Sequence, residues 1–309
     1  MKNRNKGNGR LLVLDGAHAR ILSFSPDGAN IKTVLDKCGG TPDGIAIDAS
    51  KGHIYWTNMG EHWDQNDGYI ERSDFAGSNR KVIVPKGGTF TPKQIQLDIK
   101  NGLMYWCDRE GMRVMRAGLD GKNITTLIEA GRGDEDRKDE TKHCVGIALD
   151  AEKGYIYWTQ KGPSNGGKGR IFRAGLTLPP GSHPAHREDI EVLWDHLSEP
   201  IDLELNHLTG QLYWTDRGDR PWGNTLNRAG IYDHISSEKE VLHSGLKEAI
   251  GLSLDIENNR VFVSDLGGNL YCGSLDGNDF NVLYSTKDNE MFTGIAYVKD
   301  SLARNKRQV

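Results

Sequence analysis

Ile54-Tyr55-Trp56-Thr57-Asn58, Met104-Tyr105-Trp106-Cys107-Asp108, Ile156-Tyr157-Trp158-Thr159-Gln160 and Leu212-Tyr213-Trp214-Thr215-Asp216 are four copies of one short run. A degenerate fifth copy reads Val261-Phe262-Val263-Ser264-Asp265. The lead aromatic positions 55, 105, 157, 213 and 262 lie 50, 52, 56 and 49 residues apart. So long a period, with several short strands inside it, marks radial repetition rather than a helical solenoid.

Each unit keeps one internal order. A first run alternates large apolar with small or polar residues and ends in an acid or amide, as in Gly44-Ile45-Ala46-Ile47-Asp48 and Gly251-Leu252-Ser253-Leu254-Asp255. That alternation is a strand signal. The Tyr-Trp strand follows a short turn. A third strand comes next, such as Arg113-Val114-Met115-Arg116 or Arg170-Ile171-Phe172-Arg173. Asp120-Gly121 and Asp276-Gly277 then make hairpin turns, where glycine accepts the positive φ required. A fourth strand, such as Thr125-Thr126-Leu127-Ile128, completes a blade. The ends supply the remaining blade. Phe292 to Val298 is a first strand with nothing after it, and Leu11 to Asp15 a second strand with nothing before it. The predicted fold is all-β: a six-bladed β-propeller of four antiparallel strands per blade. N-terminal strands pair with the C-terminal strand and remove the exposed sheet edges. One domain over 1–309 is expected, with the propeller at about 11–298 and polar, basic tails at 1–10 and 299–309.

The repeats resemble the YWTD, or class B, repeats of the low-density lipoprotein receptor family, which form six-bladed propellers. The likeness rests on the Tyr-Trp-Thr-Asp core, the strand-three arginine and the Leu-Asp-Gly turn, recurring in order over about 11–298. Cys107, Gln160, Cys272 and Asn58 depart from the pattern. The small free-standing form resembles fungal propellers that include hetero-Diels–Alderases of tropolone–sesquiterpenoid biosynthesis. That resemblance implies an enzyme that joins a tropolone quinone methide to a humulene-type terpene and uses no cofactor.

Composition narrows the class. The net charge of −4 and the lack of a basic stripe exclude a nucleic-acid surface. No apolar run reaches the ~18 residues of a spanning helix, so no membrane partner is expected. Met1 to Lys6 has no apolar leader core. Cys38, Cys107, Cys144 and Cys272 sit in different repeats without CxxC spacing, which reads as buried free thiols in a reducing compartment. A cytoplasmic location is expected. Asn123-Ile124-Thr125 is a glycosylation sequon relevant only to a secreted chain.

The loops are lopsided. Those joining strands two to three, and strand four to the next blade, are long, charged and aromatic: 60–67, 85–92, 132–139, 161–168 and 217–224. Long irregular loops on a rigid scaffold are where sites form. The opposite face carries short turns, except for the insertion Leu176 to Asp189, read as a surface excursion. Asp108, Asp216 and Asp265 with Arg116, Arg173 and Arg228 recur in the repeats and read as structural pairs. The aperiodic residues of the loop-rich face carry the site expectation. Under the chemistry that the resemblance implies, His143, Lys161 and Arg109 are the candidate catalytic groups, and Trp63, Phe90 and Trp222 the apolar walls. Gln94 and Gln96 with Asp202 and Glu204 break the small-residue pattern of the first strands and read either as a channel network tying blades together or as a polar floor that binds substrate through Gln94, Asp202 and Glu204; Lys93 and Arg217 are further substrate-binding candidates of the loop-rich face. No dense carboxylate loop is present, so no metal is expected. The expected partner is a small-molecule substrate, with the oligomeric state open. A lactonase-like hydrolase and a non-catalytic ligand- or protein-binding propeller are the alternatives.

Overall fold

The computed structural model describes residues 9–232 and 235–299. Six antiparallel sheets are arranged radially, each starting from an innermost strand: Pro42–Asp48, Pro92–Asp98, Cys144–Asp150, Pro200–Asn206, Ala249–Asp255 and Phe292–Lys299. We number the blades 1 to 6 in that order. Blade 6 takes its innermost strand from the C-terminal end and its outer three from Gly9–Asp15, Arg20–Phe24 and Lys32–Leu35. Gly9, Arg10 and Lys299, expected in tails, instead pair in this closure, with Gly9 opposite Lys299 and Arg10 opposite Val298. The rest of those tails, with Lys2, Arg4, Lys6, Arg304, Lys306 and Arg307, lies outside the described residues. Blade 4 ends in Glu240–Ser244, and its third strand also pairs with the short Ile235–Ser236.

The repeated motif explains both packing and blade-to-blade stitching. Trp56, Trp106, Trp158 and Trp214 are fully buried between blades. The innermost strands of blades 1 to 5 shift register near their upper ends, as between Pro42 and Ile45 or Pro200 and Leu203. In three of these blades the shift leaves an amide for the motif threonine. Thr57 Oγ1 accepts from Gly44 N at 2.8 Å and donates to the Lys93 carbonyl of the next blade at 2.7 Å. Thr159 bridges Gly146 N and Ile201 O, and Thr215 bridges Asp202 N and Ile250 O. Ser264 donates to Thr293 O. Cys107 keeps the link in weaker form, its Sγ donating to Gly146 O at 3.2 Å. The glycines of the innermost strands answer the same contact: a Cβ on Gly146 would strike the Ile201 carbonyl of the next blade.

The fourth motif position caps loops, and in blade 2 Asp108 also binds Arg113 at the start of the third strand. Asp108 accepts from Phe90 N and Thr91 N, Asp216 from Glu199 N and Asp265 from Lys247 N. Arg173 and Arg228 reach Glu191 and Glu240 in the fourth strands. The expected pairing of Asp108, Asp216 and Asp265 with Arg116, Arg173 and Arg228 gives way to loop caps, to strand three-to-four ion pairs and, in blade 2, to an Asp108–Arg113 pair. The insertion Leu176 to Asp189 is anchored. Buried Arg187 binds Asp189, Gly175 O, Thr177 O and Leu127 O, so the segment is tied across to blade 2. All four cysteines are buried and free, and burial pushes the Cys38 and Cys144 thiols up to about 12. No helix among the described residues is long and apolar enough to cross a membrane.

Candidate functional site

The loops around blades 2 and 3 enclose a cavity of about 610 Å³ lined by Trp63, Arg109, His143 and Lys161, four of the aperiodic residues singled out by sequence. Glu110, Arg137, Glu140, Asp134, Lys138 and Asp64 complete the wall. Four connections build it. The strand two-to-three loop of blade 1 brings Trp63, which is 65% exposed. The equivalent loops of blades 2 and 3 bring Arg109 and Lys161. Asp64 comes with Trp63 and Glu110 with Arg109, and the long connection from blade 2 to blade 3 brings Asp134, Arg137, Lys138, Glu140 and His143. It contains a short helix, Gly133–Arg137, with Asp134, Glu135 and Asp136 in its first turn, where the helix dipole favours acids. A 3-10 turn, Glu140–Lys142, follows, and Asp139 caps it by accepting from Thr141 N.

Lys161 is buried, and its Nζ lies 2.5 Å from Glu140 and 3.2 Å from Glu199. Glu199 also accepts from Ser164 and from Arg217, whose nitrogens approach to 2.8 and 3.1 Å. Burial alone would raise the Glu199 carboxyl, but Arg217 and Lys161 hold it below the usual range. Glu110 behaves alike: burial opposes ionisation, and Arg109, 2.6 Å away, together with Thr91 overrides it. His143 is pushed below the ordinary histidine value, chiefly by burial. Its Nε2 is 2.9 Å from the Arg137 carbonyl, while Nδ1 has no hydrogen-bond partner. A neutral imidazole with one nitrogen tied to a carbonyl keeps a lone pair on the other. The buried lone pair lies in a wall that also holds the cationic side chains of Arg109 and Lys161.

The remaining expected residues sit elsewhere. Phe90 does not line the cavity; its ring lies 4.2 Å beneath the Arg137 guanidinium. Trp222 is 67% exposed and also off the cavity wall. Arg217 acts through Glu199. Lys93 and Gln94 converge on buried Asp43 in the neighbouring blade, and burial lowers the Lys93 ammonium against the pull of that carboxylate. Asp202 is occupied by the backbone, accepting from Leu203 N and from Leu252 N of blade 5, both at 2.9 Å. Glu204 reaches across the central channel to Gln96 of blade 2 at 3.1 Å. Burial raises Glu204 to about 7 and, with Glu204 nearby, holds Asp202 well above the carboxylate range. The polar floor is thus a set of links between blades. Among the described residues, no group of three or more His, Cys, Asp or Glu converges as a metal site.

No protein-family model matches the chain. The low-density lipoprotein receptor-related protein 1 of Pyricularia oryzae is 44% identical over 292 residues, covering 91% of this chain and 93% of that protein. The 3-hydroxyacyl-CoA dehydrogenase-like protein LAM1 of Cochliobolus heterostrophus is 39% identical over 307 residues, and the match spans only 64% of its length. Among solved structures, the nidogen/laminin complex contains a chain that matches with a TM-score of 0.72 at 18% identity, over 94% of this chain and 98% of that one. A Xanthomonas campestris gluconolactonase matches with a TM-score of 0.54 at 14% identity over 84% of each chain, a likeness of fold alone. With its recurrent Tyr-Trp-Thr-Asp cores, its six closed blades and a 44% identical full-length relative, the chain belongs to the low-density lipoprotein receptor-related family of YWTD-type propellers.

Proposed function

We propose that the protein is an enzyme of small-molecule chemistry working in the cavity over blades 2 and 3, and that its reaction is of the hetero-Diels–Alderase type. The observation that carries this reading is the meeting of His143, Lys161 and Arg109 in one 610 Å³ space, with an unpartnered imidazole nitrogen beside the two cations. In the proposed reaction a hydroxymethyl tropolone gives up its ring O–H proton to His143 Nδ1, which is buried in the ligand-free protein and is reached when substrate binding opens the packing over it. The carbon–oxygen bond of the hydroxymethyl group breaks, and the same proton leaves with that oxygen as water. The quinone methide then adds across a terpene alkene with no further proton transfer. Arg109 and Lys161 steady the developing oxyanion in a poorly solvated site, and Trp63 offers an apolar face that holds the alkene near its partner. A deprotonated imidazole at neutral pH suits the first step.

The dehydrogenase in one relative's name finds no counterpart here, since the chain has no dinucleotide-binding glycine fingerprint. Four buried thiols fit a reducing compartment, which we take to be the cytoplasm. The test is turnover of a hydroxymethyl tropolone and a humulene-type alkene by the purified protein. His143→Ala is expected to slow the reaction by about 10²–10⁴, the usual worth of a positioned acid–base group. No acceleration by the wild-type protein, or an unchanged rate in the variant, rejects the reading.

A further inference from the structure

The Arg137 carbonyl can only accept a hydrogen bond, so the 2.9 Å contact puts the hydrogen on His143 Nε2 and leaves the lone pair on Nδ1. Nδ1 is closed off from water and has no other partner. The tautomer of the proposed base is therefore set by the main chain of Arg137. That residue is held by its side chain. Its Nε donates to the Glu110 carbonyl at 2.9 Å, and its guanidinium lies over the Phe90 ring, 4.2 Å from the centre. It also meets Asp134, whose carboxylate is almost fully exposed, so that pair contributes little. The cation–π contact adds to the bond from Nε, and both act on an arginine side chain largely shielded from water. Phe90 comes from the connection between blades 1 and 2, and Asp108 fixes its backbone by accepting from Phe90 N. The contact thus ties the long blade 2-to-3 connection to the rigid framework.

We infer that Phe90 and Arg137 are positioning residues for His143: the ring seats the guanidinium, the seat fixes the Arg137 carbonyl, and the carbonyl keeps Nδ1 as the proton-accepting nitrogen. The inference rests on the proposed role of His143 and gives Phe90 a task other than walling a terpene. The charged groups that bear on His143 are Glu110 and Arg109 from blade 2 and Lys161 from blade 3, none of them on its own loop.

The test is nitrogen-15 NMR of His143 in the ligand-free protein, with Phe90→Leu, which keeps bulk but removes the π face, and Phe90→Tyr, which restores it. The wild-type spectrum is expected to show Nε2 protonated and Nδ1 bare, with titration below the ordinary histidine value of 6.5. Phe90→Leu is expected to give mixed tautomers, a midpoint moved further below that value because the Arg137 carbonyl contact that raises it is loosened, and a roughly tenfold lower kcat at unchanged KM; Phe90→Tyr is expected to recover all three. Arg137→Lys should reproduce the leucine variant, since an ammonium lacks the planar guanidinium stack. Proton on Nδ1 in the wild type, or an unaltered tautomer and midpoint in Phe90→Leu, overturns the inference. Should the protein show no turnover while the NMR changes appear as stated, the proposed reaction falls and the positioning relay stands.

Discussion

The innermost strands and the loop cluster over blades 2 and 3 use polar groups in opposite ways. Around the channel the polar groups of the innermost strands are spent on partners in the next blade or across the channel. Thr57, Thr159 and Thr215 link neighbouring blades, Asp202 takes an amide of blade 5, and Glu204 takes the Gln96 amide. In the loop cluster the charged groups crowd around an open space, and His143 keeps one nitrogen without a partner. Periodic polar residues serve folding. Aperiodic ones, held by a framework that is already stable, remain available for chemistry.

The sharpest way to break this division is to move between two tryptophans. Trp214→Ala empties a fully buried site packed against Trp194 and is expected to cost about 3–5 kcal/mol in urea unfolding. Trp222→Ala, on the exposed loop, is expected to change stability by no more than about 0.5 kcal/mol. Equal losses would erase the distinction. Thr215→Val tests the stitching itself. It keeps the shape but strands the Asp202 amide and the Ile250 carbonyl, for an expected loss of about 2–3 kcal/mol by the same assay.

Glu204 offers a pH test of the channel. Burial raises its carboxyl from 4.5 to about 7, so between those values the folded state binds more protons than the unfolded chain. Its contribution to stability therefore falls as pH rises through that window and stays low above it. Glu204→Gln removes the ionisation and keeps a partner for Gln96. The variant should gain on the wild type by about 3 kcal/mol at pH 8 and by little at pH 4.5. A gap that does not change with pH contradicts the assignment. A small gain is expected from Cys107→Thr, which restores a strong donor to Gly146 O and should add about 0.5–1 kcal/mol.

The division also explains what could be read from residue order. The blades were legible because Tyr55, Tyr105, Tyr157 and Tyr213 recur with alternating strands between them, and period is a local property. His143, Lys161, Arg109 and Trp63 were legible as residues that the repeat left over. Glu110, Glu140 and Arg137 were not singled out, although Arg137 lies in a loop marked by its charge. Glu110 and Glu140 look like ordinary surface acids until the fold buries one and turns the other toward Lys161. Phe90 and Trp222 shared an aromatic signal but not a fate. Phe90 met Arg137 through a contact 47 residues away in sequence, and Trp222 met nothing that sequence marks. The channel group was seen as polar, yet its partners belong to other blades. Pairings such as Gln96 with Glu204, 108 residues apart, follow from ring closure and leave no local trace.

The most direct test of the central claim is a crystal structure of the protein with a tropolone–sesquiterpenoid product bound. The account predicts density in the cavity over blades 2 and 3, with a tropolone oxygen near Arg109 and Lys161, the terpene against Trp63 and the product within reach of His143. Density confined to the central channel at Gln96 and Glu204, or lying over Trp222, or absent altogether at saturating product, would contradict it.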